Sequence, residues 1–489
     1  MIVDLWDGAL ADRAEALALN EITYRRLHLG ARRVAARLQT LGLAAGDRIC
    51  IYSENRLGFV YAFLAALRLG AIAVPANVLY RRNDLAHLLR DARPAIVIVS
   101  PSVVAEFTQA QVHCRSVDIS QIEAWADDET IHPIPVLSRQ ADEIALIVYT
   151  SGTTGRSKGA MLSHGALAAI AAQLISTWRW QADDTLLLSL PLFHIHGLVA
   201  GLTCALAAGA RTVLHERFDA QRVLATFESE RVSMFFGVPT MYARLLEHAG
   251  SRTYAPLRLF VCGSAALSPA IHRAFYERFG SSILERYGAT EFGFALGNRY
   301  GGPRIAGSVG IPFPGVRVRV VAPGGMPLPP GETGELLVAG PNLFSGYWER
   351  PEATAAALIV DETGTSWYRS GDLAHYDTEH DVYRIVGRAK ELIITGGFNV
   401  YPREVEEAIE AWSNVRACAV VGRPDDLRGE VPVAFLEAAP FETAGLLADL
   451  RSRLASFKIP KEFYILDALP RNAMGKVDKP ALRARLSAP

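Results

Sequence analysis

Short, almost unbroken apolar runs recur along much of this chain, and they limit its fold more than any other feature. R-I-C-I-Y (48–52), A-I-A-V-P (71–75) and A-I-V-I-V-S (95–100) are separated by helical patterns. The rhythm returns at T-L-L-L-S-L (185–190), R-T-V-L (211–214), M-F-F-G-V (234–238) and L-F-V-C-G (259–263). A strand open to water on one face alternates apolar with polar residues. Runs that do not alternate belong to parallel sheets covered by helices on both faces. No repeat links the two stretches, so the expectation is two doubly wound α/β layers.

At 489 residues the chain also exceeds what one hydrophobic core organises. Between 305 and 350 the texture changes: G-S-V-G-I-P-F-P-G-V-R-V-R-V-V alternates, among frequent glycine and proline. That predicts a small antiparallel, barrel-like unit. Beyond about 390 a compact α+β segment is expected, with an acidic helix (402–410), a strand (417–422), a helix near 444–456 and a basic tail. The fold class is therefore α/β, a large N-terminal domain followed by a smaller α+β C-terminal domain.

Fifty basic against 51 acidic residues leave a net charge of −1, which argues against nucleic acid as a partner. Five scattered cysteines without a C-x-x-C pair argue against a disulfide framework or a structural zinc. The start, M-I-V-D-L-W-D, lacks a signal-peptide pattern, and a cytoplasmic location is expected. The apolar stretch 197–210 is shorter than the ~20 residues of a membrane span and predicts a buried helix.

Four motifs carry chemistry. Y-T-S-G-T-T-G-R-S-K-G (149–159) follows the apolar run I-A-L-I-V-Y (144–149). Its glycines let backbone N–H groups approach an anion, and its hydroxyls and Lys158 add donors and charge. It lacks the G-K-[ST] ending of a Walker loop, which disfavours a P-loop kinase. In L-E-R-Y-G-A-T-E (284–291) a strand is expected to end at Tyr287, with Gly288 turning the chain to present Thr290 and Glu291. Such a carboxylate suits Mg²⁺ shared with phosphate oxygens. Asp372, in W-Y-R-S-G-D-L-A, suits vicinal hydroxyls, and Arg388, in Y-R-I-V-G-R-A-K-E-L, suits forked contacts to oxygen. The tail P-R-N-A-M-G-K-V-D-K sets Lys476 on a glycine turn.

In this order and at these separations the motifs, with P-L-F-H (191–194) and G-G-F-N-V-Y-P (396–402), resemble the acyl-adenylate-forming superfamily. The resemblance covers nearly the whole chain. It implies a ligase that joins a carboxylic acid to ATP, then passes the acyl group to a thiol. Thr150, Ser151, Gly152, Thr153, Thr154, Gly155 and Lys158 would wrap the phosphates, and Gly263, Ser264, Ala265, Tyr287 and Gly288 would hold adenine. Asp372 and Arg388 would hold the ribose, Thr290 would contact the α-phosphate, and Glu291 with Thr153 would carry Mg²⁺. Lys476 would be catalytic. The resemblance also implies domains at 1–389 and 390–489, hinged at Lys390, with Gly396, Gly397 and Phe398 lining a coenzyme A tunnel after a swing.

Within the superfamily the chain is most similar to malonyl-CoA synthetases, through P-L-F-H-I-H-G-L, G-S-A-A-L-S-P-A-I-H-R-A-F and L-E-R-Y-G-A-T-E-F-G. The resemblance implies an acyl pocket at His194, Ile195, Ala289, Phe292, Arg273 and Arg286, with Arg244 a further cation nearby in sequence. His194 would also gate the thiol's route, and His196 is expected to be a core histidine. Ala289 stands where many malonate enzymes have methionine, which widens the pocket. Malonate or methylmalonate is the first expectation, and a medium-chain or aromatic acid the second. A carrier protein could replace CoA as acceptor, and the chain would act as a monomer or homodimer.

Overall fold

The computed structural model describes residues 1–150, 157–251, 254, 257–472 and 476–486. A seven-stranded sheet runs in the order Gly346–Tyr347, Lys158–Ser163, Ile144–Thr150, Ile72–Ala76, Arg48–Tyr52, Ile96–Val99, Arg115–Asp118. A nine-stranded sheet is centred on Ile283–Ala289, Leu259–Cys262, Met234–Gly237, Thr185–Leu188 and Arg211–Leu214. The expected apolar runs are the parallel strands of both sheets, and the four residues of Thr185–Leu188, Met234–Gly237 and Leu259–Cys262 are all buried. One large core joins the two layers, from Ile2 and Trp6 through Phe59 and Leu188 to Leu336.

Each layer turns antiparallel beside its chemical motif. Ile144–Thr150 pairs antiparallel with Lys158–Ser163, and Ile283–Ala289 does so with Gly293–Gly297. Both chemical motifs therefore leave the carboxyl ends of parallel-sheet strands, where open α/β sheets bind ligands, and return as hairpins.

Gly288 departs from expectation. The strand continues through it to Ala289, with an irregular register between Tyr287 and Gly288. A Cβ at 288 would collide with the Gly293 carbonyl oxygen. Glycine is needed there for close approach of two backbones, and the turn itself comes at Thr290–Phe292.

The segment 197–210 forms the buried helix expected of it, its first part a π-helix at His196–Thr203. Gly197 lets that wide turn sit on the Pro191 carbonyl, a contact any side chain would block. The glycine- and proline-rich region supplies two strands, Arg317–Val321 and Gly334–Ala339, of an antiparallel five-stranded sheet built around the long strand Ser366–Asp377. A second five-stranded sheet follows, carrying the helix Pro402–Glu410 and its own core of Ile393, Val405, Ile409, Val420 and Leu436.

Candidate active site

The phosphate-loop motif is framed by a hairpin. Thr150 and Lys158 are ladder partners, and Thr150 Oγ1 donates to the Lys158 carbonyl at 3.5 Å. The His87 ring meets the Ser157 carbonyl at 2.8 Å. Ser151, Gly152, Thr153, Thr154 and Gly155 lie outside the described residues. The Lys158 ammonium stands 5.1 Å from the Tyr347 ring centroid, over its face.

Tyr347 ties this hairpin to the second motif. Its strand pairs with the returning strand (Tyr347 against Ala160), and its O–H donates to Glu291 Oε1 at 2.8 Å. The Glu291 carbonyl accepts the Phe344 N–H at 2.8 Å, so Glu291 is fixed by backbone and side chain. Thr290 and Glu291 are both buried. Asn342 steadies the next turn, donating to the carbonyls of Phe292 (2.6 Å) and Phe294 (3.2 Å).

Asp372 and Arg388, expected at the ribose, are ladder partners, with Arg388 Nε 2.6 Å from Asp372 Oδ1. Tyr287 O–H donates to Asp372 Oδ2 at 2.5 Å, which joins the expected adenine and ribose groups in one cluster. Burial lifts the Asp372 carboxyl above its ordinary range, opposed by the Arg388 charge and the Tyr287 hydrogen bond. Gly263 ends strand Leu259–Cys262, and Ser264 follows in the left-handed region (φ 70°) with Ala265 exposed.

The acyl-pocket residues separate into two groups. Arg286 is buried (5% exposed), its guanidinium 4.6 Å from the Phe294 ring centroid and packed on Gly263, where a Cβ would come within 2.5 Å. Among the described residues it makes one hydrogen bond, to Ser264 Oγ at 3.4 Å, and its Nε has no partner. Burial pushes its pKa down to about 9. His194 and the deeply buried His196 both feel this charge, and burial, then Lys476 and Arg286, push His194 down to about 3. Neutral His194 accepts the His196 N–H on Nδ1 at 3.3 Å, which leaves its proton on Nε2. His196 stacks on Phe236, as a core histidine would, but both its ring nitrogens lack partners among the described residues. Ile195 and Phe292 are buried, and Ala289 packs against the large core.

Arg273 does not join them. Helix Pro269–Phe279 buries His272, Phe275 and Phe279, which turns Arg273 outward into a surface groove with Tyr276 and Ser282. Arg244 is exposed as well, so Arg286 alone of the three candidate arginines is buried.

Lys476 reaches the cluster from the C-terminal sheet region. Burial lowers its pKa, the charges of Arg388 and Arg286 lower it further, and Asp372 and Glu291 oppose them. Lys390 lies in the short turn Ala389–Glu391. Gly396, Gly397 and Phe398 sit in an exposed hairpin, with Phe398 stacked on Phe457 at 4.7 Å. With Lys476 inside, the glycine hairpin stays outside.

Tyr347, Asn342 and Tyr368 escaped the motif reading. Each acts through a contact distant in sequence, and F-S-G-Y-W carries no pattern that announces it.

Two parallel-sheet layers, an added antiparallel sheet and a small C-terminal unit delivering a lysine are the build of an AMP-forming acid–thiol ligase. The chain belongs to the AMP-binding enzyme family, which matches residues 9–348, and the AMP-binding enzyme C-terminal domain matches 404–476. A feruloyl-CoA synthase from Amycolatopsis sp is 36% identical over 95% of this chain and 94% of its own. A mitochondrial malonate–CoA ligase of Mus musculus is 33% identical over 95% and 87%. Among solved structures, ATP-bound MatB from Rhodopseudomonas palustris superposes with a TM-score of 0.89 at 36% identity, covering 99% of both chains. Among the described residues no helix is long and apolar enough to cross a membrane.

Proposed function

We propose that the chain converts malonate or methylmalonate, with ATP and CoA, into the acyl-CoA, AMP and pyrophosphate through an acyl-adenylate. Arg286 carries the substrate assignment. It is a buried cation with no acidic partner among the described residues. Such a charge costs several kcal/mol unless something neutralises it, and the distal carboxylate of a short diacid would do so. The malonate–CoA ligase relative supports the same reading.

In the first half-reaction the acid's other carboxylate attacks the α-phosphorus and pyrophosphate leaves. Thr150 through Lys158 cradle the leaving phosphates, Tyr287, Asp372 and Arg388 hold the nucleoside, and Thr290 contacts the α-phosphate. Lys476 sits where negative charge builds, so its work is electrostatic and positional. Glu291 fits Mg²⁺: it is a buried carboxylate spending one hydrogen bond on Tyr347, with no cluster of three metal-ligating side chains among the described residues. An ion shared with phosphate oxygens needs no more than one or two carboxylates, and when bound it screens the phosphate charge. In the second half-reaction the C-terminal unit, residues 390–489, turns about Lys390. That withdraws Lys476 and brings Gly396, Gly397 and Phe398 to the thiol's path.

An aryl acid is the second reading, favoured by the aromatic walls Phe236, Phe292 and Phe294 and by the feruloyl-CoA synthase relative. Pyrophosphate release over a panel of acids, with and without CoA, separates the two. Malonate- or methylmalonate-dependent turnover stimulated by CoA supports the diacid. Turnover only with ferulate-, benzoate- or octanoate-like acids overturns it, and dependence on a carrier protein replaces CoA as the acceptor.

A further inference from the structure

Lys476 acts at the tip of a short segment, yet the positioning of that tip has a second anchor. Within the segment the Lys476 N–H donates to Asn472 Oδ1 at 3.1 Å, and its carbonyl accepts the Asn472 N–H at 2.8 Å. Arg471 and Val477 form a bridge, and the Asp478 N–H reaches the Pro470 carbonyl at 2.8 Å. Lys479 follows at once and begins helix Lys479–Leu486. Its ammonium lies 2.8 Å from Glu406 Oε1 and 3.1 Å from Glu391 Oε2. Glu406 is buried on helix Pro402–Glu410 and also accepts the Val420 N–H at 2.9 Å. Glu391 is the residue directly after Lys390.

We infer that Lys479 is a positioning residue for adenylation, a clamp that ties the Lys476 segment to the hinge turn through Glu391 and to the C-terminal sheet through Glu406. Three buried or half-buried charges in direct contact hold one geometry, because each loses more by leaving than an exposed pair would. Rotation at Lys390 is then passed to Lys476 without slack. All three clamp residues lie beyond the hinge, so the clamp travels with the C-terminal unit. It matters to rate only in the arrangement that uses Lys476. This inference rests on the adenylate reading above.

The test uses the full chain and both half-reactions, with Lys476→Ala as a control. Glu391→Gln cuts the tie to the hinge while leaving the Lys479–Glu406 pair intact, so the fold is kept. Acid-dependent ATP–pyrophosphate exchange should fall at least about tenfold in kcat, with KM for ATP changed less than about threefold. Thioester formation from supplied acyl-adenylate should stay within about threefold. Lys479→Met should show the same split, and Lys479→Arg should recover most of the exchange rate. Where Lys479→Met does not fold, Glu391→Gln decides alone. Unchanged exchange in Glu391→Gln, or equal loss in both half-reactions, overturns the clamp. If Lys476→Ala itself fails to separate the half-reactions, the adenylate roles fall first.

Discussion

Asp372 and Arg388 face each other across one antiparallel ladder, 2.6 Å apart, and Tyr287 closes the other side of the carboxylate. The pair is preassembled, and on the proposed reading ATP meets a carboxylate already oriented. Removing Asp372 leaves the partly exposed Arg388 without its carboxylate and takes away the oxygens proposed to hold the ribose. Asp372→Ala should therefore lower kcat/KM for ATP by roughly 10²-fold or more. Exchange rates measured across ATP concentrations check this, and an unaltered KM for ATP would remove Asp372 from the nucleotide site.

Lys476→Ala should cost adenylation about 3–4 kcal/mol, roughly 10²–10³ in rate. Conversion of supplied acyl-adenylate to thioester should be nearly untouched, because the proposed turn of the C-terminal unit withdraws Lys476 from the site before that stage. Single-turnover assays of each half-reaction make the comparison.

Lys390→Pro addresses the hinge. Proline fixes φ near −65° and so blocks a two-state rotation at that residue. Adenylation should be spared while thioester formation slows by ~10-fold or more. Equal slowing of both steps counts against a hinge at Lys390.

Arg286→Met should act in opposite directions on binding and on stability. Activity with malonate should fall by about 10²–10³-fold as the distal carboxylate loses its partner. The free protein should gain stability, on the order of 1 kcal/mol, because an unpaired buried charge is gone. Ala289→Met should narrow the pocket and lower the methylmalonate-to-malonate ratio of kcat/KM. Comparing acids by initial rate, alongside thermal unfolding, reads all three.

Acid should weaken the fold at His28. This buried side chain accepts Arg68 N–H on Nδ1 at 2.5 Å, and burial, then the Arg68 charge, push its pKa down to about 3. The unfolded chain binds the proton near pH 6.5 while the folded chain refuses it. Stability is thus full above that value and is lost as pH falls toward 3. At pH 5 the loss from His28 is about 2 kcal/mol. Denaturant titrations at pH 7.5 and 5 should show the wild-type advantage over His28→Gln shrinking by that amount.

Much of this architecture could be read from the chain alone. Runs such as T-L-L-L declare a parallel strand because they leave no polar face, and the structure places Thr185–Leu188 there. Asp372 and Arg388 were legible as a pair of functional types, though only the ladder makes them partners. Arg286 could not be separated from Arg244 and Arg273 by motif, yet helix periodicity held part of the answer. His272, Phe275 and Phe279 mark the buried face of their helix and leave Arg273 on the other. Gly288 was misread because a glycine forced by a backbone across the sheet looks, in sequence, like a glycine forced by a turn. Tyr347 was missed for the same kind of reason: its meaning comes from a strand almost two hundred residues earlier, at Ala160.

The close approach at Gly288 has an evolutionary consequence. Position 288 admits no side chain because of the Gly293 carbonyl, and Gly293 itself sits at φ 57° with the Ile170 side chain against it. Between these two fixed points lie Ala289, the last residue of the strand, which faces apolar packing, and then Thr290 and Glu291 in the turn. On the proposed reading, substrate choice and phosphate chemistry are thus written in adjacent letters on a rigid frame. On that reading a lineage can trade one acid for another at position 289 without re-tooling Thr290 and Glu291, the two residues beside it proposed to handle phosphate.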